Sequence, residues 1–198
     1  MKTLFMDTAW KNLVIVLMED GRIVESLSIE AFKRQSEELF VRLKELLDQA
    51  GWKLKDVDEV IITDGPGSYT GLRIAMTAAK ILGTQSKAKV RTISTLQLYA
   101  GKAQNANVLL DARGHRAYAG HLENGQPIWT GILDLDDVPA FLEQYPGELY
   151  GEGSLVGKEA LPSDFCANAR DLIDLANPVE NVDALAPVYM KESDSYRV

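Results

Sequence analysis

The sequence predicts an α/β protein built from two similar lobes, because one strand–turn–strand pattern occurs twice. In the first copy, an apolar run ends at Asp7 and an Asp-Gly turn follows at 20–21; in the second, a run ends at Asp111 and an Asn-Gly turn follows at 124–125. The spacing from carboxylate to glycine is the same in both. Such pairs accept the positive φ angles of type I′ turns, so each copy predicts three antiparallel strands.

Composition and charge limit the classes of function. The chain has 198 residues and a formal net charge of −8, so we expect it to repel nucleic-acid phosphates and not to bind tRNA directly. Its single cysteine, Cys166, fits a reducing compartment. No apolar run is long enough for a signal peptide or a membrane span. These features predict a soluble cytoplasmic protein without a membrane partner.

The first lobe continues as alternating helices and strands. Ser36 is expected to cap a first helix that ends at Gly51 and turns an apolar stripe toward the core. That stripe consists of Leu39, Leu43, Leu46, Leu47 and Ala50. A strand, a helix, a strand and a helix are then expected at 59–63, 70–83, 90–93 and 95–104.

The second lobe repeats the opening hairpins and is then shorter. A helix, a strand and a short helix are expected at 136–144, 148–150 and 154–160, and the pattern between 162 and 178 is too weak to assign. We predict lobes at residues 1–105 and 106–198. This order of elements is that of the ribonuclease-H-like unit, which is duplicated in the actin, sugar-kinase and Hsp70 superfamily, here with an abbreviated second lobe.

Asp7 and Asp111 each end the first strand of a lobe, so both carboxylates are expected to face the cleft between the lobes. In nucleotide-using members of that superfamily, the matching acids organise magnesium and phosphates, and glycines and hydroxyls lie in the same turns. The first turn here has no glycine and contains Trp10, and the second contains Arg113. We therefore expect degenerate phosphate turns at Asp7, Thr8 and Asp111 and no nucleotide cofactor; the acids would be caps, turn residues or ion-pair partners.

A glycine-rich segment joins the strand at 59–63 to the next helix. It lacks the Gly-Lys-Ser/Thr end of a P-loop and the third glycine of a dinucleotide site, and Pro66 replaces the first glycine of a serine-nucleophile elbow. Two interpretations stay open: a strand-to-helix turn capped by Ser68, or a direct contact with a ligand or partner. The segment comprises Gly65, Pro66, Gly67, Ser68, Tyr69, Thr70, Gly71 and Arg73.

No catalytic or metal site is expected. The only histidines, His115 and His121, lie six residues apart along a predicted strand, about 20 Å between side chains, which is too far to share one ion. Both are therefore predicted to be surface residues of a hairpin.

The glycine segment gives the chain a specific resemblance to the TsaB (YeaZ) family. Further similarities are Met6–Ala9, Asp111–Arg113, Gly151–Gly153 and Pro187–Lys191. The resemblance implies the small, non-catalytic partner subunit of the bacterial machinery that makes threonylcarbamoyladenosine at position 37 of tRNA. It also implies two partners: the larger transferase subunit, TsaD, which carries the active site, and an ATPase, TsaE.

A candidate partner surface lies on the first two helices. The second helix carries one apolar stripe for its own sheet and another on a different side, which favours either an interface or burial under the second lobe. The resemblance implies that these helices dock on the transferase subunit, or on a second copy of the chain when it is alone. The expected interface residues are Leu39, Phe40, Leu43, Leu47, Ile74, Ala78 and Ile81.

The sequence therefore predicts an accessory subunit that binds and activates a TsaD-type transferase. Two alternatives remain: a small ATP-dependent kinase or ATPase of the actin-like superfamily, and a metallopeptidase homologue.

Overall fold

Two mixed β-sheets form the framework of the protein, for which a computed structural model describes residues 1–190. Residues 191–198, and with them Lys191 of the closing segment and the end of the predicted second lobe, lie outside the described residues. The first sheet has the order β10-β5-β4-β1-β2-β3. Its strands are β1 (Lys2–Asp7), β2 (Asn12–Glu19), β3 (Arg22–Glu30), β4 (Glu59–Thr63), β5 (Lys89–Ile93) and β10 (Asn177–Pro178).

The second sheet repeats the plan of the first and has the order β8-β7-β6-β9. Its strands are β6 (Ala106–Asp111), β7 (Arg116–Glu123), β8 (Gln126–Asp134) and β9 (Glu148–Gly151). In each sheet, the strand that ends in the repeated aspartate lies between an antiparallel hairpin partner and a parallel strand. Both predicted hairpin turns have positive φ angles at their two central residues. The predicted fold class, two ribonuclease-H-like lobes with a shortened second copy, is confirmed.

Five helices lie between these strands: α1 (Gln35–Ala50), α2 (Tyr69–Gln85), α3 (Thr95–Ala100), α4 (Val138–Gln144) and α5 (Phe165–Asp171). Two details differ from the prediction. Ser36 is not the cap of α1: the helix begins at Gln35, and its N-cap position is Arg34, which makes no side-chain cap bond. The predicted short helix at 154–160 is a 3-10 turn over Gly153–Val156.

The helices cover the two faces of the first sheet. One face carries α1 and α2 in a single core, which confirms the predicted stripe of α1. The opposite face is covered by α3 and α5, and the chain then returns to pair β10 with β5. Residues 162–178 thus pack on the first sheet, whereas the division of the lobes at residue 105 stays a prediction. Within residues 1–190, no helix is long and apolar enough to cross a membrane.

Candidate functional site

A cleft of about 540 Å³ opens between the two lobes, at the edge where β1 and β6 end. Five of its lining side chains are aromatic, and four are charged. The lining residues are Trp10, Lys11, Phe32, Gly67, Ser68, Tyr69, Thr70, Asp111, Ala112, Arg113, Tyr118, Glu152 and Tyr189. Trp10 and Tyr118, one from each lobe, meet edge to face with their ring centroids 6.4 Å apart. The sequence-based candidates Asp111, Ser68, Tyr69 and Thr70 therefore share one site.

Asp7 does not reach this cleft, although it ends β1. The parallel register places Met6 beside Ile62, so the next residues, Asp7 and Thr63, lie side by side. One carboxylate oxygen of Asp7 accepts hydrogen bonds from the Thr63 hydroxyl and, at 3.0 Å, from the Ala9 amide. The side chain is buried, and this burial raises the pKa of Asp7 to about 6 against the opposing effect of both hydrogen bonds. The expectation that both acids point at the cleft is thus wrong for Asp7.

Thr8 is likewise engaged inside the protein. Its hydroxyl donates to the Gly71 carbonyl at 2.6 Å and accepts from the Ala75 amide at 3.1 Å. It therefore fastens the first turn of α2 to the end of β1. In the turn after β1, one oxygen of the acid and the hydroxyl are therefore both bonded within the protein.

The glycine segment allows this close packing. A Cβ atom at Gly67 would lie 2.6 Å from the Ala9 carbonyl oxygen, and one at Gly71 would collide with the Thr8 carbonyl. The Ser68 hydroxyl accepts from the Gly71 amide at 3.0 Å, so Ser68 is the N-cap of α2. The first interpretation of the segment, a capped strand-to-helix turn, is confirmed. Ser68, Tyr69 and Thr70 still line the cleft, so the second interpretation stays open.

The turn after β6 is more exposed than the turn after β1. The Asp111 carboxylate is half-buried and accepts from the Arg113 amide at 2.7 Å. The Asp111 amide in turn donates to Glu152 Oε2 at 2.7 Å, because Glu152 follows the parallel strand β9. Glu152 Oε1 pairs with the Lys11 ammonium group of the other lobe. The turns of the two lobes are therefore joined across the cleft by the ion pair Lys11–Glu152.

These contacts indicate how well the site suits a nucleotide or a metal ion. A nucleotide bound as in the superfamily needs accessible acids and phosphate-binding turns, whereas Asp7 and Thr8 are engaged in the core. Among residues 1–190, no three His, Cys, Asp or Glu side chains lie close enough together to hold a metal ion. Asp7 and Thr8 are thus not arranged as a phosphate-binding turn.

The two histidines differ from each other in their surroundings. His115 is exposed, with Nε2 at 3.1 Å from an oxygen of Asp136. His121 is buried, which contradicts the prediction of two surface histidines. Its Nδ1 lies 2.9 Å from Asn107 Oδ1, and its ring stacks on Tyr145 with centroids 4.8 Å apart. No pattern in the sequence indicated that Tyr145 would stack on this ring.

The predicted helix interface separates into buried and exposed residues. Phe40 is 56% exposed and Ile81 is 44% exposed, whereas Ile74 is half-buried. Four other predicted interface residues belong to the protein's own core: Leu39, Leu43, Leu47 and Ala78. Of the predicted interface residues, Phe40, Ile74 and Ile81 are thus the ones with substantial exposed surface.

A shallow groove continues this helix surface. Phe40 and the exposed Leu54 form its apolar borders, and the edges of Leu43, Leu47 and Trp52 form its floor. The basic residues of α1 near it are paired with acids on the same helix: Arg42 with Glu38 and Glu45, and Lys44 with Asp48. We call Phe40, Leu54, Ile74 and Ile81 the helix face. Its exposed side chains are apolar, and the cations of α1 beside it are largely neutralised.

Several cleft residues were not identified as candidates from the sequence. Phe32 and Tyr189 belong to segments without regular structure, so no periodic pattern marked them. Lys11 and Glu152 are 141 positions apart. Only the similarity of their flanking segments to a known family gave any signal.

Comparison with known proteins identifies the family. The model of the family "TsaD: tRNA N6-adenosine threonylcarbamoyltransferase" matches residues 29–143, which is more than half of the chain. The chain belongs to this family, in its TsaB (YeaZ) branch. The tRNA threonylcarbamoyladenosine biosynthesis proteins TsaB of Buchnera aphidicola (from Schizaphis graminum) and Bacillus subtilis are similar to it, at 32% and 27% identity.

These alignments cover 56% and 61% of this chain, and the chain spans about half the length of either relative, 56% and 54%. The solved structure of YeaZ from Pseudomonas aeruginosa superposes with a TM-score of 0.80 at 22% identity. That superposition covers 95% of this chain and 99% of the other. It shows that this TsaB-family chain has the YeaZ fold over nearly its whole length.

Proposed function

We propose that this TsaB-family protein is a non-catalytic subunit that binds and activates a TsaD-type threonylcarbamoyl transferase in the biosynthesis of tRNA threonylcarbamoyladenosine. Its pathway is supported by the TsaB names of its relatives and by the match to the TsaD family model. We further propose that it acts in the cytoplasm, that it presents a TsaE-type ATPase to the complex, and that it forms a homodimer when alone.

One observation carries this proposal: the residues at the expected phosphate turns are bonded to other groups within the protein. Thr63 and Ala9 occupy the Asp7 oxygen, the Thr8 hydroxyl holds α2, and the Lys11–Glu152 pair joins the two turns across the cleft. A kinase or ATPase of this fold would need these groups to bind magnesium and phosphates. The same residues support a rigid frame instead.

The helix face supports the partner part of the proposal. Phe40 and Ile81 are large apolar side chains that are about half exposed on α1 and α2. These two helices pack next to each other on one face of the first sheet, so their exposed residues belong to one side of the molecule. Exposed apolar patches of this kind favour a protein interface.

The test measures complex formation with a TsaD-type partner by size-exclusion chromatography. The variant Phe40→Glu/Ile81→Glu is expected to lose co-elution and to keep its melting temperature, because both side chains are exposed. Ile128→Glu is the matched control, since Ile128 is 53% exposed on β8 in the other lobe. Co-elution of the double variant at the level of the control would overturn the assignment of the helix face.

Catalysis is tested separately with the isolated chain. We expect it to transfer no threonylcarbamoyl group to tRNA without its partner, and to bind ATP and magnesium no more tightly than the Asp7→Ala variant does. Transfer by the chain alone would contradict the accessory role. Micromolar ATP binding that Asp7→Ala abolishes would favour the kinase or ATPase alternative.

A further inference from the structure

The rim of the cleft carries a second exposed patch, which the helix face does not include. Phe32, Tyr69 and Tyr189 line the cleft, and each is about half exposed. Tyr69 and Tyr189 are stacked, with ring centroids 5.7 Å apart and planes inclined by 15°. Their exposed parts lie at the entrance of the cleft, where one face of Tyr69 packs on Tyr189.

Two basic side chains lie against these aromatic rings. The Arg73 guanidinium lies 4.5 Å from the centre of the Tyr69 ring and bonds to Tyr189. The Lys33 ammonium group lies 5.4 Å from the centre of the Phe32 ring. We call Phe32, Lys33, Tyr69, Arg73, Arg113 and Tyr189 the cleft rim.

The charge of the rim is opposite to that of the whole chain. Within the described part of the chain, Lys33, Arg73 and Arg113 form no ion pair with a carboxylate. Of the two acids that line the cleft, Glu152 is neutralised by Lys11, which leaves Asp111. Because charges more than about 8 Å apart are largely screened at physiological salt, the acids on other surfaces do not cancel this excess.

We propose that the cleft rim binds a single-stranded stretch of the substrate RNA, with bases stacked on Tyr189 and Phe32 and phosphates held by Arg73, Arg113 and Lys33. Aromatic faces beside unpaired cations are the combination that single-stranded nucleic acids need, since every base has a face to stack and every linkage has a charge to neutralise. This inference rests on the proposed function, because the pathway supplies the RNA. It departs from the expectation of no direct contact with tRNA, which the acidic net charge favoured.

The difference from the helix face supports RNA over a protein partner at the rim. Beside the helix face, Arg42 and Lys44 pair with acids of the same helix, and among residues 1–190 only one basic residue of the groove lining, Lys53, forms no ion pair. At the rim, the cations instead lie over aromatic rings or without a partner among residues 1–190. A cleft of about 540 Å³ is also large enough to admit one unstacked base beside Trp10.

The test measures binding of fluorescein-labelled tRNA transcript and of a labelled 12-nucleotide single-stranded RNA by anisotropy. Both the isolated full chain and its complex with the transferase subunit are used. Tyr189→Ala is expected to weaken binding by roughly tenfold, as loss of one stacking contact does. Arg73→Ala/Arg113→Ala is expected to weaken it similarly and to reduce the slope of log affinity against log salt by about 1.4.

Arg22→Ala/Lys55→Ala is the matched control, because both residues are exposed cations in segments that do not line the cleft. It should leave affinity within twofold. Equal RNA affinity for rim variants and control variants would overturn the proposal, as would tighter binding of a 12-base-pair duplex than of the single strand. Loss of transferase or ATPase co-elution in the rim variants, with RNA affinity unchanged, would also overturn it and assign the rim to a protein.

These outcomes are distinct from failure of the proposed function. If the helix-face double variant loses co-elution while the rim variants keep full RNA affinity, the accessory role stands and only the RNA surface is wrong. If rim variants lose RNA affinity while the helix-face variant still co-elutes, the RNA surface stands and the assignment of the partner surface is wrong.

Discussion

The turns after Asp7 and Asp111 begin with the same pattern, yet the two lobes use them differently. In the first lobe, Asp7 is buried and the next residue, Thr8, fastens α2. In the second lobe, Asp111 lies half-buried at the cleft, and Ala112 at the matching position has no hydroxyl. The difference follows from what covers each turn: α2 packs on the first, whereas the second borders the cleft. The turn of the first copy is therefore part of the packed interior, and the turn of the second copy lies at the cleft.

The largest expected effect is a pH dependence of stability that comes from the buried acid of the first copy. Burial raises the pKa of Asp7 to about 6 from 3.8, so between these values the folded protein binds more protons than the unfolded chain. The free energy of unfolding should therefore fall as pH rises from about 4 to 6, by up to about 1.4 kcal/mol per pH unit from this group. Urea denaturation of wild type and Asp7→Asn across this range measures it, and Asp7→Asn should show a smaller slope.

Two features of this experiment keep it specific. Asp111→Asn is the matched variant in the second copy and is measured in the same way, since it leaves Asp7 intact. Burial also raises the pKa of Asp64, so part of the slope is expected to persist in Asp7→Asn. Identical slopes in wild type and Asp7→Asn would show that Asp7 is not buried as described.

A smaller difference in the free energy of unfolding is expected between variants at the second position of the two turns. Thr8→Val removes a buried hydroxyl with two hydrogen bonds and should lower the free energy of unfolding by about 2 kcal/mol. Ala112→Ser, which adds a hydroxyl at the equivalent place, should have a smaller effect, because it removes no existing hydrogen bond. Chemical denaturation of both variants gives these values. Equal effects would mean that Thr8 does not hold α2.

The smallest effect separates the two histidines of the second lobe. His121→Leu leaves Asn107 Oδ1 without its partner, so we expect a loss of about 1 kcal/mol in unfolding free energy. The exposed His115→Leu should have almost none. Thermal unfolding of the two variants side by side makes this comparison. A greater loss at His115 would contradict the placement of His121 in the core.

Local patterns predicted much of this fold because they act over a few residues. The two type I′ turns follow from Asp-Gly and Asn-Gly, and the core stripe of α1 follows from its helical spacing. Gly51, in the left-handed conformation, ends α1 as expected. Other predictions were less accurate. Helix α3 ends at Ala100, four residues before its predicted end. The packing of residues 162–178 on the first sheet was not predicted, because it depends on contacts with distant parts of the chain.

The candidate site was only partly predictable for the same reason. The glycine segment was identified from its sequence, and the cap at Ser68 was one of the two interpretations given. The expected interface was taken from the resemblance, so it included Leu39, Leu43 and Leu47, although the apolar stripe of α1 had already assigned them to the core, where they are buried. Phe32 and Tyr189 were missed because nothing local distinguishes an aromatic side chain at a cleft from one in a core.

The sequence by itself determined the duplicated unit, the order of its elements and the family, since each depends on residues that are neighbours along the chain. Tertiary structure alone decided which acid is buried, which face of each helix is free, and where the cations of an acidic chain gather. Those outcomes depend on pairs such as Lys11 and Glu152, which packing brings together from opposite lobes. Burial and local charge are properties of such assembled surroundings, and a residue's own identity does not fix them.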